Sequence, residues 1–518
     1  MPQTAEQLCK GVRRSYLKAF KQHYDTSNKT TKHIVDDCIR ERCRAENAPF
    51  IDCKEIPEQV KEHAESGKPT VFVSHAWGAK FDTLVAGIER FFEMYGLEEE
   101  TNYLWIDIFV VDQADPPWRS SDFDPEEVLN VGLRNASKLV LVLDDATCPR
   151  ALSRLWPLYE FYYALEASHV QEKIIFTEQE ENSLLESLLD EEAVHLYASC
   201  AYISEHRVEH GLSATRSDDE IRIREKIKKM GTGRLSGFAY FADKLRAAFH
   251  QWLRTWLQER KEIMWEQSRD NWAMSALALA RVMQQFPKNN EDVGDALALY
   301  NEMLTHIDSL SQQLQLHARF PARVNRAKAF KQKGLQQEAL DEWRLVWSEA
   351  QSSNDATSRM RILEAKVSIM EILIADGIPE ENAFGVSVDH LLNDVHVERN
   401  NKTSGSPEHK WASQVYMRAL LGKGLYSSKV GDDRSAYQSC WAAMELAHTS
   451  YEELEMPLKM MDCYEYLSWA ESNLGLKDQA IESLQEGRRH LRKIFTESSL
   501  FVQNVDENIR SLQCGLDQ

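Results

Sequence analysis

Between residues 70 and 204, short apolar runs alternate with helical patterns, and this alternation limits the fold more than any other feature of the chain. Five runs have the length and the β-branched content of buried strands: TVFVSHAW (70–77), YLWIDIFVV (103–111), KLVLVLDD (138–145), KIIFTE (173–178) and LYASCAYIS (196–204). Three helix-like stretches lie between them, at 81–95, 125–136 and 158–168. We expect a parallel sheet covered by helices, with a ligand beyond the carboxyl ends of its strands.

The sequence on either side of this region lacks a strand pattern. Residues 1–66 are polar and mostly helical in pattern, and they predict an N-terminal helical segment that ends at the turn-rich sequence Glu-Ser-Gly-Lys-Pro. The α/β domain then occupies 67–235. A long amphipathic pattern with aromatic residues predicts a connecting helix at 236–266, and helix pairs fill 267–518.

Two stretches of the C-terminal half share a pattern in which a helix rich in small residues reaches Gly-Leu, and an alanine follows five residues after the glycine. They are ARVNRAKAFKQKGLQQEALDEWRLVWSEA (322–350) and DCYEYLSWAESNLGLKDQAIESLQEGRRHL (462–491). A looser copy at 412–447 has Gly431 and Ala436 in those places. The pattern resembles the tetratricopeptide repeat, in which glycine ends one helix and small residues allow close packing. The resemblance implies an all-α solenoid that binds a protein or peptide partner.

The charge and the apolar runs of the chain exclude several classes of partner. The 518 residues carry a formal charge of -21, which argues against broad nucleic-acid and anionic-membrane surfaces because phosphate groups repel such a field. No stretch reaches the ~18 apolar residues that span a bilayer. The nine cysteines lack the close pairs of structural zinc sites and indicate reduced thiols. We therefore expect a soluble, cytoplasmic protein without nucleic-acid, membrane or metal binding.

Three motifs of the α/β domain follow one another in a family order. FVSHAWG (72–78) ends the first strand with an aromatic residue, an aliphatic residue and a serine. LWIDIF (104–109) ends the second with Ile-Asp, and KLVLVLDDATCPRALSRLWPLYEFYYAL (138–165) joins a strand to a helix that contains Trp and Glu. The set resembles the TIR domain, the NAD-cleaving and signalling module of innate immunity. The resemblance covers residues 68–205 and implies a flavodoxin-like fold with a parallel sheet.

The third motif is similar to the Trp-Cys-x-x-Glu segment of the family, and this implies that Glu160 is the catalytic carboxylate. Trp156 precedes it by four residues, so both side chains lie on one helix face. Pro157 stands in place of the family's cysteine and indicates the first turn of the helix. A position near the helix N-terminus favours an ionised carboxylate. The same position also suits a glutamate that is not catalytic and only complements the helix dipole. Both interpretations stay open.

The substrate implied by the resemblance is NAD, with no tightly bound cofactor. Nicotinamide leaves a cationic nucleoside as a neutral base, so no general acid is needed, and the ribose becomes similar to an oxocarbenium ion. A fixed carboxylate stabilises this developing cation. Water, or a nucleophile within the same nucleotide, then gives ADP-ribose or a cyclic isomer.

The resemblance also implies a set of cofactor-binding residues around Glu160: Ser74, His75, Trp77, Asp107, Trp118, Asp144 and Trp156. Ala76 and Trp77 depart from the family pattern, in which basic residues at this point contact the cofactor. Positive charge for the phosphates is then expected from neighbouring loops, where four candidates are either ligands or solvated surface residues: Lys80, Arg119, Arg150 and Arg154.

Four of these cofactor-binding assignments have a structural alternative. His75 also fits a satisfied histidine at the end of a strand, and Asp107 also fits a residue that holds the following loop. Trp118 either stacks on adenine or packs its own loop. Asp144 either binds ribose hydroxyls or caps the next turn.

Three functions fit these features. In the first, the chain is a NAD nucleosidase in immune or stress signalling, regulated by the repeats or by self-association through the TIR-like domain. In the second it is a non-catalytic adaptor or scaffold, and in the third it is a receptor for a nucleotide signal. Glu160 favours the first, and Trp77 in place of a basic residue favours the third. A GxxxxGK[ST] phosphate loop does not occur between the halves, so we expect no ATP-driven assembly.

Overall fold

The computed structural model describes most of the chain. The described residues are 8–63, 66–116, 124–146, 149–189, 203–214, 217–232, 235–287, 289–353, 357–376, 387–404, 406–450, 457–493, 495, 497 and 499–514. The contacts of the chain divide it into two compact units, one of Met1–Ser187 with Ala198–Trp252 and the other of Leu188–Tyr197 with Leu253–Gln518, so the main division falls between Trp252 and Leu253. We call the first the α/β unit and the second the helical unit.

The described part of the α/β unit contains a sheet of six strands. They are β1 (Gly11–Val12), β2 (Ser66–Gly67), β3 (Val71–Ser74), β4 (Leu104–Trp105), β5 (Lys138–Val142) and β6 (Gln171–Ile175). Their order across the sheet is β2-β1-β4-β3-β5-β6. β4, β3, β5 and β6 run parallel, whereas β1 pairs antiparallel with β2 and β4. The sheet is therefore mixed, and the expectation of a wholly parallel sheet is wrong at this edge.

Ten α-helices precede the division between the units in the described residues. They are α1 (Arg14–His23), α2 (Thr31–Ile34), α3 (Arg40–Glu46), α4 (Glu58–Lys61), α5 (Phe81–Tyr95), α6 (Asp107–Val110), α7 (Pro125–Leu133), α8 (Leu155–Glu166), α9 (Glu178–Leu189) and α10 (Ser217–Lys229). Single turns of π-helix or 3-10 helix occupy Val35–Ile39, Phe50–Asp52, Glu99–Thr101, Arg150–Ser153 and Arg207–Gly211.

Most of these elements overlap the stretches that the sequence predicts. The helix α5 coincides with the pattern at 81–95. β4 has only two residues because α6 begins at Asp107, so the chain leaves the sheet after Ile106. The helix α8 begins three residues before the expected start at 158, with Pro157 in its first turn. Most of the candidate strand at 196–204 lies outside the described residues.

The N-terminal segment, predicted to be helical over 1–66, belongs to the α/β unit and contributes strands as well as helices. Gly11 and Val12 join the sheet beside β4, and Trp105 donates a hydrogen bond to the carbonyl of Leu8 at 2.8 Å. Tyr16 and Phe20 pack their rings against Phe109, with centroids 5.3 and 5.1 Å apart. The buried aromatic face of α1 therefore forms part of the core under β4.

A long helix and an array of shorter ones form the rest of the described chain. The helix α11 (Gly237–Gln267) lies where the sequence predicts a connecting helix at 236–266. The helices that follow are α12 (Arg269–Gln285), α13 (Asn290–His306), α14 (Gln312–Gln332), α15 (Gln336–Ser352), α16 (Ser358–Ala375), α17 (Val388–Asn400), α18 (Pro407–Lys429), α19 (Asp433–Ser450), α20 (Pro457–Asn473), α21 (Lys477–Leu491) and α22 (Leu500–Cys514). Among the described residues, none of these helices has the apolar length needed to cross a bilayer.

Each helix from α12 to α22 packs against the next one in the chain. The turns α14–α15, α18–α19 and α20–α21 span only a few residues and reverse the chain, so these helices form antiparallel hairpins. Small residues line the contact between α12 and α13: Ala273, Ala276, Ala280 and Ala296 are fully buried in one hydrophobic cluster. This is the helical array that the repeat pattern predicts.

The three glycines of the repeat pattern end α14, α18 and α20. Gly334, Gly431 and Gly475 have φ angles of 74°, 85° and 77°, a left-handed conformation that strains any side chain with a Cβ. The alanine five residues after each glycine is fully buried, at Ala339, Ala436 and Ala480. The prediction of three helix-turn-helix units is therefore confirmed by the backbone as well as by the packing.

Candidate functional site

A cavity of about 350 Å³ lies at the carboxyl ends of β3 and β4 in the α/β unit. Five of the residues expected around a cofactor line it: His75, Trp77, Asp107, Trp156 and Glu160. The first two follow β3, Asp107 follows β4, and the last two lie on α8, the helix after β5. The volume is within the range of small-molecule sites, and the place agrees with the rule for ligands of parallel sheets.

Glu160, which lines this cavity, is joined by a hydrogen bond to Ser74. Ser74, the last residue of β3, is buried, and its Oγ donates to Oε2 of Glu160 at 2.5 Å. Burial raises the pKa of Glu160 to about 8; the hydrogen bond from Ser74 opposes this shift and the charge of Asp107 adds to it. The carboxyl group therefore holds its proton over much of the physiological range.

The direction of this pKa shift corrects the argument from the helix dipole. Glu160 is the sixth residue of α8, and the dipole acts mainly within the first turn. Removal from water outweighs the dipole, so the free protein does not favour the ionised carboxylate that the sequence argument expects. A glutamate that only complements a helix end would be solvated, whereas this one is half-buried and hydrogen-bonded to another element.

Trp77 and Asp107 form a second bridge, between the loop after β3 and the start of α6. The indole Nε1 of Trp77 donates to Oδ2 of Asp107 at 2.8 Å, and Oδ1 accepts from the backbone of Ile108 at 2.8 Å. Gln113 donates to the carbonyl of Asp107 at 2.9 Å. Asp107 thus holds its loop, as one of its two interpretations has it, and also lines the cavity.

His75 presents a buried polar atom to the same cavity. Its side chain is 7% exposed, and within the described part of the chain its Nε2 has no hydrogen-bond partner. Burial lowers the pKa of His75, with Asp107 opposing the shift, so the ring is neutral near pH 7. The alternative of a satisfied strand-end histidine does not fit this arrangement, because a buried ring nitrogen without a partner is costly.

The remaining candidates lie elsewhere or outside the described residues. Asp144 accepts a hydrogen bond from the backbone of Arg150 at 2.9 Å and pairs with its guanidinium at 3.3 Å, so it caps the turn. Arg150 also donates to the carbonyl of Gly78 at 3.0 Å, and Lys80 donates to Asn28 at 3.2 Å. Trp118 and Arg119 fall in 117–123, which the structure does not describe.

Several residues that line the cavity lie outside the three motifs. They are Arg40, Gln113 and Asp219; Trp105 lines it from within LWIDIF, and Arg154 joins them from the loop candidates. Arg40 comes from the N-terminal segment and Asp219 from α10, both far along the chain from Glu160. The strand pairing of β1 with β4 brings the N-terminal segment to the site, and a pairing of two residues leaves no periodic signal in the sequence.

Together these residues form a half-enclosed site with a protonated carboxyl, a neutral imidazole and indole faces. A carboxyl whose pKa is shifted by burial, in a cavity at the ends of strands, is a recognised indicator of a functional site. Trp77 and Trp156 offer aromatic surfaces on which a flat cationic ring can stack. The arrangement is suited to holding a cation next to Glu160.

The sequence has no match among protein-family models, and no curated protein matches it. Two solved structures are similar to parts of the chain. One is a Podosopora anserina protein described as a kinesin light chain with nearly identical TPR-like repeats; it is 16% identical over 42% of this chain and 94% of that chain, with a TM-score of 0.26. The other is the APC/C hetero-tetramer Cut9-Hcn1, 12% identical over 85% of this chain and 71% of that chain, with a TM-score of 0.32. These low TM-scores establish no shared fold, so the repeat assignment rests on the helix turns described above.

Proposed function

We propose that the α/β unit is a TIR-like NAD nucleosidase that breaks the bond between nicotinamide and ribose. The observation that carries the proposal is the half-buried carboxyl of Glu160, bound by Ser74 at 2.5 Å in a cavity at the strand ends. The products are nicotinamide and either ADP-ribose or a cyclic isomer. The substrate is NAD itself, and no tightly bound cofactor is needed.

The topology of the parallel strands supports a flavodoxin-like, TIR-like fold. Counted among themselves, β3, β4, β5 and β6 are the first to fourth strands, and their order across the sheet is 2-1-3-4. Flavodoxin-like sheets begin with this order and bind ligands where it reverses, between the first and third strands. Ser74 ends the first of these strands and Glu160 follows the third, so the hydrogen bond between them lies at the reversal.

The chemistry requires Glu160 to be ionised once the substrate is bound. The pyridinium ring of NAD carries a positive charge, and a cation beside a carboxyl group favours its ionised form. The bond from Ser74 then stabilises the carboxylate. As the nitrogen–carbon bond breaks, nicotinamide takes the electron pair and the carboxylate stabilises the ribosyl cation. Water adds to the ribose carbon and releases one proton.

A second candidate function, a receptor for a nucleotide signal, is favoured by the raised pKa of Glu160. A protonated carboxyl donates a hydrogen bond to a neutral ligand, which suits binding better than stabilisation of a cation. The cavity with its indole faces fits a nucleobase equally well. The two candidates therefore differ in turnover, while both predict nucleotide binding.

For the helical unit we propose a protein or peptide partner, with regulation of the enzyme in immune or stress signalling. A cavity of about 350 Å³ in this unit is lined mainly from alternate helices, by Gln285 on α12, Asn325 on α14, Ser368 on α16, Gln414 on α18 and Tyr466 on α20, with Trp343 on α15 as an exception. Every second helix thus contributes to one surface. Self-association of the α/β unit is a further part of the proposal.

The test incubates the purified full chain with NAD and measures nicotinamide release and NAD binding. We expect release by the wild type and its loss in Glu160→Ala. The matched control is Glu166→Ala, since Glu166 is an exposed residue on the same helix that pairs with Lys244. Release that survives Glu160→Ala would contradict the catalytic assignment. Binding without release would support the receptor. The absence of both binding and release would support the adaptor.

A further inference from the structure

The cavity beside Glu160 contains two guanidinium groups that come from different parts of the α/β unit. Arg40 belongs to α3, in the segment before the TIR-like region, and Arg154 immediately precedes α8. We propose that these two arginines bind the diphosphate of the dinucleotide substrate, so that the N-terminal segment completes the substrate site. The inference rests on the proposed nucleosidase function and names the part of the site that recognises phosphate.

Arg40 is held at the cavity by bonds that fix its orientation. Its Nη1 donates to the carboxylate of Asp36, and its Nε donates to the carbonyl of Gln113 at 3.3 Å. Gln113 is buried and binds the carbonyl of Asp107 in turn. A guanidinium group has five N–H donors, so these two bonds leave others for a ligand. Its position is therefore set by the same loop that positions Asp107.

Arg154 lies in a partly desolvated place on the same cavity. Its Nη1 donates to the hydroxyl of Ser213 at 2.9 Å. Burial lowers the pKa of Arg154, and Glu220 opposes the shift. A guanidinium group that is partly removed from water gains more from an anion than a solvated one does, because the local dielectric constant is lower.

The cavity is lined by a carboxyl group as well as by the two guanidinium groups. A cation fits beside Glu160, and an anion fits beside Arg40 and Arg154. The ligand that fits has a cation at one end and an anion at the other. In NAD these are the pyridinium ring and the diphosphate.

A third observation indicates that the cavity accepts a polar ligand. His75 lines it with a buried Nε2 that has no partner among the described residues. Buried polar atoms without a partner are rare in folded proteins and are commonly satisfied by a ligand or water. The hydroxyl groups of the ribose that joins the two charged ends of NAD are suitable partners.

The experiment compares substrates with and without phosphate, using the full chain. Nicotinamide release is measured from NAD, from nicotinamide mononucleotide and from nicotinamide riboside, which has no phosphate. The variants are Arg40→Gln and Arg154→Gln. The control is Arg44→Gln, because Arg44 is an exposed residue on the same helix as Arg40 and does not line the cavity.

We expect either substitution to raise the KM for NAD by about 10- to 100-fold, the usual effect of losing hydrogen bonds to a charged group. The riboside should change by less than about twofold, and Arg40→Lys should recover part of the affinity for NAD. Equal losses for NAD and the riboside would mean that Arg40 only holds the loop at Gln113, and an unchanged KM for NAD would also overturn the proposal. Thermal unfolding checks that each variant is folded.

Calorimetric binding of ADP-ribose separates failure of this inference from failure of the proposed reaction. If no substrate is cleaved but the wild type binds ADP-ribose and Arg40→Gln does not, the phosphate site stands without the reaction. If NAD is cleaved and both arginine variants match the wild type, the reaction stands without the phosphate site.

Discussion

Two glutamates, one in each unit, are removed from water, and their pKa values are shifted in opposite directions. Burial raises the pKa of Glu160 to about 8, where its hydrogen-bond partner is the neutral Ser74. Burial acts in the same direction on Glu371 of the helical unit, but Arg418 and Lys331 lower its pKa to about 2. Arg418 binds it through two hydrogen bonds of 3.0 and 2.9 Å. The partner, and not the degree of burial, decides the charge of each carboxyl group.

Glu371 is an acid whose charge is paired within the fold. Glu160 is an acid for which we propose that a ligand supplies the opposite charge. Glu371 joins α16 to α14 and α18 as a paired ion, and its charge is satisfied within the chain. Glu160 costs folding free energy when it ionises, and its hydrogen-bond partner, the neutral Ser74, offsets only part of this cost. Buried ionisable groups with shifted pKa values occur at functional sites, where a bound ligand can supply the opposite charge.

The largest expected effect is on the stability of the helical unit. Glu371→Gln removes the anion that Arg418 and Lys331 share and leaves Arg418 with its longer ion pair to Glu364 at 3.7 Å, so we expect the free energy of unfolding to fall by about 3 kcal/mol. Differential scanning calorimetry measures this, and Glu338→Gln, an exposed neighbour on α15, should change it by less than about 0.5 kcal/mol. The loss should disappear as the pH falls from 4.5 towards 2, because Glu371 then becomes protonated in both states. Equal stability of the two variants at pH 7 would contradict the comparison.

The corresponding substitution in the α/β unit should act in the opposite direction. Glu160→Gln replaces a protonated carboxyl by a neutral amide, so it should change little near pH 4. Between pH 4.5 and 8 the unfolded state ionises while the folded state keeps its proton, and the wild type loses stability. We expect the variant to be more stable by about 2 kcal/mol at pH 6. A calorimetric pH series in which the variant is less stable than the wild type throughout would exclude a raised pKa of Glu160 in the folded state.

The pH dependence of nicotinamide release sharpens the same contrast. If Glu160 must be ionised, kcat/KM for NAD should rise about tenfold per pH unit from pH 6 and level off near pH 8. Steady-state rates across pH 6 to 9 give the profile. A flat profile would place the pKa of Glu160 near its ordinary value. It would then contradict the opposite pKa shifts of Glu160 and Glu371.

The smallest expected effect concerns the bridge between Trp77 and Asp107. Trp77→Phe keeps an aromatic face but removes the hydrogen bond of 2.8 Å, which contributes about 1 kcal/mol. We expect kcat/KM for NAD to fall about fivefold. Trp441→Phe, at an exposed position in the helical unit, is the control. A loss of more than a hundredfold would show that the indole itself contacts the reacting atoms.

The repeat turns were predictable because their signals are local. A helix that ends at a left-handed glycine is encoded within a few residues, and Gly334 and Gly475 have the predicted conformation. The same holds for α5, whose apolar stripe repeats over four turns. β1 and β2 were missed because two residues carry no period and the partners lie far apart in the chain.

The candidate site was predictable only in part, for a related reason. Ser74, Trp77 and Asp107 follow strands whose ends meet at one edge, so their motifs indicated the place correctly. The protonation of Glu160 depends on burial by several elements, which no single motif describes. Arg40 reaches the cavity from a segment that has no resemblance to the family, and long-range contacts such as the pairing of β1 with β4 connect that segment to the sheet.

The bond between Ser74 and Glu160 has a consequence for the response of the molecule to acidity. In the proposed function, the carboxyl group of Glu160 holds a proton in the free protein and loses it beside the bound cation, so each binding event would release a proton to the solvent. Protons and the cationic ligand then compete for a single place. A drop in the surrounding pH of one unit would weaken such binding as an added competitor does, without any separate regulatory site.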